Sequence, residues 1–226
     1  MIITLGSYND DRGNAIIYGG EHKNSVKVTF SGRNNTLTVS DYTQLNNTTI
    51  LFDCDNGVCN IGDNKFTGNI RIGQDCQVNI SDKVSCTNSC IITTAEGASV
   101  FIGEDCMIAS VVEIRADDAH PIFNVKTGLR VNRSRDIIIG EHVWLAGRST
   151  ILSGGQIGSG SVLGYGSILK SKMPNNCIAV GIPAKISKRN IAWERPHLSM
   201  TTPFYKPDKE SIAITKKYWK RTITSK

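Results

Sequence analysis

The chain has 226 residues, 39% hydrophobic and 20% charged, enough apolar material for one substantial buried core. Aromatic residues make up only 7% and glycines number 21, which suits many short strands and tight corners and excludes an all-helical bundle. The formal net charge is +6 and lies toward the end: from Lys185 onward eleven bases stand against three acids, yet no RRM, KH, zinc-finger or helix-turn-helix pattern accompanies them, so nucleic acid is not an expected partner.

No apolar run approaches the roughly 18 residues of a membrane span. The start, MIITLGSYNDDRGNA, lacks a basic n-region followed by an apolar stretch. The expectation is therefore a cytoplasmic protein without an integral membrane segment. Seven cysteines without a C-x-x-C pair fit neither a disulfide framework nor a zinc site. Cys76 and Cys106 are expected to pack as small buried hydrophobes.

Residues 1–50 read as short strands (Ala15 to Tyr18, Ser25 to Phe30, Thr36 to Ser40) between Gly, Asn and Asp clusters, either a β-rich extension or the first coils of a longer repeat. Sequon matches at Asn34, Asn46, Asn47 and Asn132 are better explained as turn formers. From Leu51 a six-residue period sharpens. Ile61-Gly62-Asp63, Ile72-Gly73-Gln74-Asp75-Cys76 and Ile102-Gly103-Glu104-Asp105-Cys106 share one pattern, and Val78, Val84 and Cys90 keep the register until Glu96 breaks it, which predicts a bulge or corner loop there.

The period is strongest from 139 to 170. Ile139, Leu145, Ile151, Ile157, Leu163 and Leu169 are all aliphatic and six apart, with small residues at most of the positions four further on. Neither the 3.6 period of a helix nor strand alternation gives this, whereas a stacked coil of parallel strands does. One aliphatic per hexad points inward, and three hexads make one coil of a triangular solenoid. Between Ile114 and Ile139 the spacing is not a multiple of six, so a loop at 115–138 is inserted, and loops on a rigid scaffold are where chemistry is usually placed. Beyond the solenoid domain, 51–190, a connector with Pro196 and Pro203 leads to a helix predicted over Pro207–Arg221, acidic at its start and basic at its end.

In this pattern the chain resembles the hexapeptide-repeat acyltransferases, which implies an all-β fold, a left-handed parallel β-helix with an inserted catalytic loop. Asp117-Asp118-Ala119-His120-Pro121 resembles their loop motif, in which the histidine removes the proton of an acceptor hydroxyl. The resemblance makes His120 the expected catalytic base, with Asp117 or Asp118 orienting it. His142-Val143-Trp144-Leu145-Ala146-Gly147 looks like their V-W-[IL]-G segment, which implies Trp144 as a wall of the acceptor pocket and a catalytic-site residue, with an amide near Ala146 or Gly147 stabilising the oxyanion. His142 reads first as a surface or interface residue, with acceptor contact as the other reading.

Gly181-Ile182-Pro183-Ala184-Lys185 matches the G-x-P-A-K signature closing the helix in that family. Lys185, Lys188 and Arg189 are thereby expected to meet the phosphates of acetyl-CoA, with Ala146, Gly147, Gly164, Tyr165 and Lys170 as further cofactor-binding positions. Tyr165 stands where many members have a small residue, and its role stays open between stacking on a ligand and covering the coil. D-A-H-P-I-F and E-H-V-W-L bring the chain nearest to bacterial polysaccharide O-acetyltransferases, particularly those that modify sialic-acid capsules.

Such an enzyme implies acetyl-CoA as co-substrate, no metal, a homotrimer and an anionic polysaccharide acceptor met by Asp118, Arg130, Arg133, His142 and Trp144, with Lys126 and Arg135 adding positive charge to the loop. Acetylation of an antibiotic or a free sugar is the alternative on the same scaffold. A γ-type carbonic anhydrase would need three clustered histidines, whereas His22, His120, His142 and His197 include no close pair. A non-catalytic β-helix would need flat threonine ladders, which are absent.

Overall fold

A computed structural model describes residues 2–3, 5–21, 25–197 and 212–223. Its strands form three sheets that the chain visits in rotation from Val26–Phe30 to Cys177–Val180. Each turn therefore contributes one strand to each face of a triangular prism. The hexad aliphatics follow that rotation: Ile139 lies in the second sheet, Leu145 in the third, Ile151 in the first, and Ile157, Leu163 and Leu169 repeat the order. All six are at most 2% exposed, and burying one such side chain stabilises the fold by about 1.5–3 kcal/mol. Between coils the ladder partners are parallel, as Ile92 beside Ile114 and Leu145 beside Leu163, and antiparallel pairs occur only at the two ends of the described sheets.

Three hexads per coil describes only part of the chain. Ile151 sits beside Leu169, eighteen residues on, but Ile50 sits beside Ile70 and Ile92 beside Ile114, at spacings of twenty and twenty-two. Longer corners absorb the extra residues, and several turn on left-handed residues: Asn34, Asn56, Asp75 and Glu96 all have φ between 54° and 59°. Glu96 does sit at a corner, between the strands Cys90–Thr93 and Ser99–Ile102.

Residues before 51 are already part of the prism. Val26–Phe30 pairs with Thr48–Phe52, and Thr36–Val39 with Val58–Ile61, both parallel. Their alternation of buried and exposed residues is the same as that of the later coils. Cys76 and Cys106 are buried at 1% and 0%, and all seven cysteines are free thiols.

The predicted helix over Pro207–Arg221 is replaced, over its described part, by a single 3-10 turn at Lys216–Tyr218. Tertiary bonds outbid helical ones there. Glu194 accepts hydrogen bonds from the amide and hydroxyl of Thr215 and from the indole of Trp219, while Tyr218 stacks on His142. Positions 207–211 fall outside the described residues. Among those described, no helix is long and apolar enough to cross a membrane.

Candidate active site

Glu113–Arg115 belongs to the first sheet and Ile137–Ile139 to the second, so the inserted segment leaves the prism at the corner between them. It folds as an arm. Phe123 and Arg130 form an antiparallel bridge, the Asn124 amide donates to Leu129 O, and the Val131 amide to Ile122 O. Asn132 ties the base together, donating to the Asp118 carboxylate at 3.0 Å and to His120 O at 2.9 Å, and accepting from the Ile122 amide at 2.7 Å. Glu96 holds the other side, pairing with Arg130 and accepting from the Ser134 amide and hydroxyl. Those bonds, the Arg130 one foremost, lower the Glu96 pKa to about 2.

His120 is exposed, and its ring makes no hydrogen bond among the described residues. A free imidazole beside solvent is available for an acceptor hydroxyl. Neither aspartate bonds to that ring. Asp118 holds Asn132, and Asp117 turns inward, its side chain 4% exposed, to meet Arg71 at 2.8 Å and the Ala119 amide at 3.1 Å. Arg71 also contacts Asp53 at 3.1 Å. Burial works against its charge, but the two carboxylates outweigh that and raise its pKa.

Beside the arm's base lies a cavity of about 300 Å3 lined by Asp118, Arg130, Asn132, Arg133, Arg135, Ser153 and Lys170 among others. Four cations face it against one lining carboxylate, with Arg130 also paired to Glu96, so its charge favours an anion. Lys170, expected with the cofactor cluster, is brought here with Arg130 and Arg133 instead, because it follows Leu169 at the same corner that carries the arm. Lys126 is exposed near the arm's tip and does not line the cavity.

Trp144 is on the third sheet, pointing outward between Met107 and Val162. That face lies across the prism from the corner bearing His120, so one chain does not bring the two together. The turn after Trp144 carries Ala146 and Gly147, and Gly164 and Tyr165 occupy the same corner one coil later. The Ala146 amide already donates to Leu163 O at 2.9 Å, which removes it as an oxyanion donor. The Gly147 amide makes no bond among the described residues, and a Cβ at Gly147 would come within 3.1 Å of the Tyr165 ring. Tyr165 therefore lies over that corner while remaining exposed. Lys185, Lys188 and Arg189 are exposed on the antiparallel strand Lys185–Arg189 that closes the third sheet.

His142 is neither a surface residue nor free to touch an acceptor. It is 2% exposed and sandwiched between Trp193 and Tyr218, with ring centroids at 4.0 and 4.3 Å. Its Nδ1 meets Asp105 at 2.6 Å and its Nε2 meets Trp193 O at 2.9 Å. Arg195 shares Asp105 at 2.6 Å and also donates to Ser85 and to the carbonyls of Lys83 and Cys106. The segments after the solenoid thus return to cover the residue, and Trp193 also packs against Trp144 at 6.0 Å. Sequence reasoning missed Trp193 and Arg71 because each meets its partner across the coils, and Asn132 because its partners come together only when the arm folds. For Asn132, a turn-forming asparagine in the loop was the only hint.

The chain matches no known family profile. It is 37% identical over 175 residues to the polysialic acid O-acetyltransferase of Neisseria meningitidis, covering 76% of this chain and 81% of that protein. To the polysialic acid O-acetyltransferase of Escherichia coli O1:K1 / APEC it is 42% identical over 97 residues, 43% of this chain and 32% of that longer protein, so it spans about a third of that relative. Among solved structures, the polySia-specific acetyltransferase NeuO superposes with a TM-score of 0.78 at 38% identity, covering 81% of this chain and 79% of its own. The polysialic acid O-acetyltransferase OatWY superposes at 0.70 with 29% identity, covering 84% and 92%.

Proposed function

Given that the chain belongs to the hexapeptide-repeat O-acetyltransferases, to which its identity with the meningococcal enzyme over most of both lengths assigns it, we propose that it moves an acetyl group from acetyl-CoA to a hydroxyl of an anionic, sialic-acid-containing surface polysaccharide. The observation that carries the acceptor class is the cavity by the base of the His120 arm, where Arg130, Arg133, Arg135 and Lys170 outnumber the lining carboxylate of Asp118 and the Glu96 that pairs with Arg130. A carboxylated polymer is attracted there, a neutral sugar is not.

The reaction is direct transfer. His120 takes the proton of the acceptor hydroxyl, the oxygen attacks the thioester carbonyl, and the Gly147 amide donates to the oxygen that becomes negative. Collapse of the tetrahedral intermediate releases the CoA thiolate, which takes the proton back from His120. Lys185, Lys188 and Arg189 are suited to the phosphates of acetyl-CoA, and Trp144 supplies a flat wall for the acceptor. Because His120 and Trp144 lie on opposite sides of one prism, the complete site needs His120 of one copy and Trp144 of another, and a homotrimer closes that arrangement by symmetry. Acetyl-CoA as donor places the reaction in the cytoplasm.

The test is acetyl transfer to polysialic acid, to a neutral glycan and to chloramphenicol at low and high salt. Preference for the charged polymer, weakening as salt rises, is the expected result. Efficient acetylation of the drug with none of the polymer would replace this acceptor by a small molecule.

A further inference from the structure

We infer that Arg71 is a positioning residue for the transfer, fixing the base of the His120 arm by holding the Asp117 carboxylate. This rests on His120 being the base. Arg71 lies in the strand Gly68–Ile72, two coils before the arm and 46 residues from Asp117 in sequence. The ladder brings it near. Arg71 adjoins Thr93, and Thr93 adjoins Arg115, two positions before Asp117. Its side chain therefore crosses one strand to reach the point where the arm departs.

The guanidinium is held at both ends, by Asp53 at 3.1 Å and by Asp117 at 2.8 Å. It cannot swing away without abandoning a charged partner. Asp117 passes the constraint on: the oxygen that receives Arg71 also accepts the Ala119 amide at 3.1 Å. Ala119 has a φ of 60°, a left-handed conformation that a residue with a Cβ keeps only when its surroundings enforce it. His120 comes next, its own amide donating to Asp118 O at 2.7 Å. The Asp117 carboxylate thus fixes the Ala119 amide, and His120, whose imidazole stands next in the chain, follows directly from that turn.

Among the described residues Arg71 is the one cation paired with Asp117, and the second Asp117 oxygen is buried without a protein partner, as are Asp53 Oδ1 and Thr93 Oγ1. Removing the guanidinium leaves a buried carboxylate free to rotate or take up water, and the Ala119 amide loses its fixed acceptor. A shift of about 1 Å in a reacting group can cost about a hundredfold in rate.

The experiment compares Arg71→Met, Arg71→Lys, His120→Ala and the double variant Arg71→Met/His120→Ala, using CoA release from acetyl-CoA with polysialic acid, together with hydrogen exchange at the Ala119 amide. Arg71→Met is expected to lower kcat at least tenfold with KM for acetyl-CoA unchanged, and to speed Ala119 exchange while coil amides such as that of Trp144 keep their protection. Arg71→Lys should recover part of the rate. The double variant should be no slower than His120→Ala, because Arg71 acts only through that residue.

Unchanged kcat and unchanged Ala119 exchange in Arg71→Met would overturn the assignment. An equal further loss on the His120→Ala background would also overturn it, as that is the behaviour of a merely structural residue. If Arg71→Met does not fold, Arg71→Lys decides by the same split, since it keeps the charge but not the two-ended grip. Wild-type turnover in His120→Ala would instead overturn the functional reading, and the positioning role with it, a result distinct from a failure of Arg71 alone.

Discussion

Replacing His142 by alanine should release the C-terminal segments from the solenoid without melting it. The ring makes two stacked contacts, with Trp193 and Tyr218, each worth about 0.5–1.5 kcal/mol beyond burial. It also satisfies the carbonyl of Trp193, and a buried acceptor left bare costs about 1–3 kcal/mol. Asp105 still keeps Arg195, so its loss is only partial and is left out. The remainder comes to about 2 kcal/mol at the least. At about 1.4 kcal/mol per factor of ten, the open population of residues 191–197 and 212–221 rises about thirtyfold. Native-state hydrogen exchange reads this at the amides of Ile191 and Thr215, which donate to Asn176 O and to Glu194, with the Trp144 amide, donating to Ser161 O, as the coil's control. Unchanged exchange at Ile191 and Thr215 would show that His142 does not hold these segments, and equal acceleration at Trp144 would show that it supports the solenoid as a whole.

Gly68→Ala should destabilise the chain by about 2 kcal/mol or more in denaturant unfolding, because Gly68 has a φ of 152° and a Cβ there would collide with the Cys90 carbonyl. Glu96, whose pKa is lowered in the folded chain to about 2, supports the arm above the ordinary glutamate range, near 4.3, and loses that support as pH falls through about 2. Glu96→Gln should therefore speed amide exchange at Ser134 at neutral pH, and wild-type protein should approach the variant's rate, after correction for intrinsic exchange, only in acid. If the site is built from two copies as proposed, His120→Ala and Trp144→Ala chains unfolded, mixed and refolded together should regain activity that neither has alone. Failure to complement in assemblies shown by mass spectrometry to contain both chains would place each site within one copy.

The solenoid was legible because its core is one-dimensional: each aliphatic of the 139–169 series needs only its own inward position, and a period of six reports that directly. Coil length was less legible, since corners at Asn34, Asn56 and Glu96 add residues without disturbing the inward pattern on either side. His120 could be singled out by the inserted loop and its motif, but the group holding that loop could not. Arg71 sits two coils earlier, and only stacking places it beside Asp117. His142 was misplaced for the same reason. A short periodic segment assigns it to a corner, while Trp193 and Tyr218, which cover that corner, arrive from 51 and 76 residues further along the chain. Over the described part of the predicted Pro207–Arg221 helix, local propensity met stronger tertiary partners in Glu194 and His142.

Proton NMR of polysialic acid after incubation with the enzyme and acetyl-CoA tests the central claim most directly. The account predicts new O-acetyl signals on the polymer, one for each CoA released, and their loss by about a hundredfold or more in rate when His120 is replaced by alanine. Release of CoA without ester on the polymer, or ester formed at the wild-type rate by the His120→Ala variant, would contradict it.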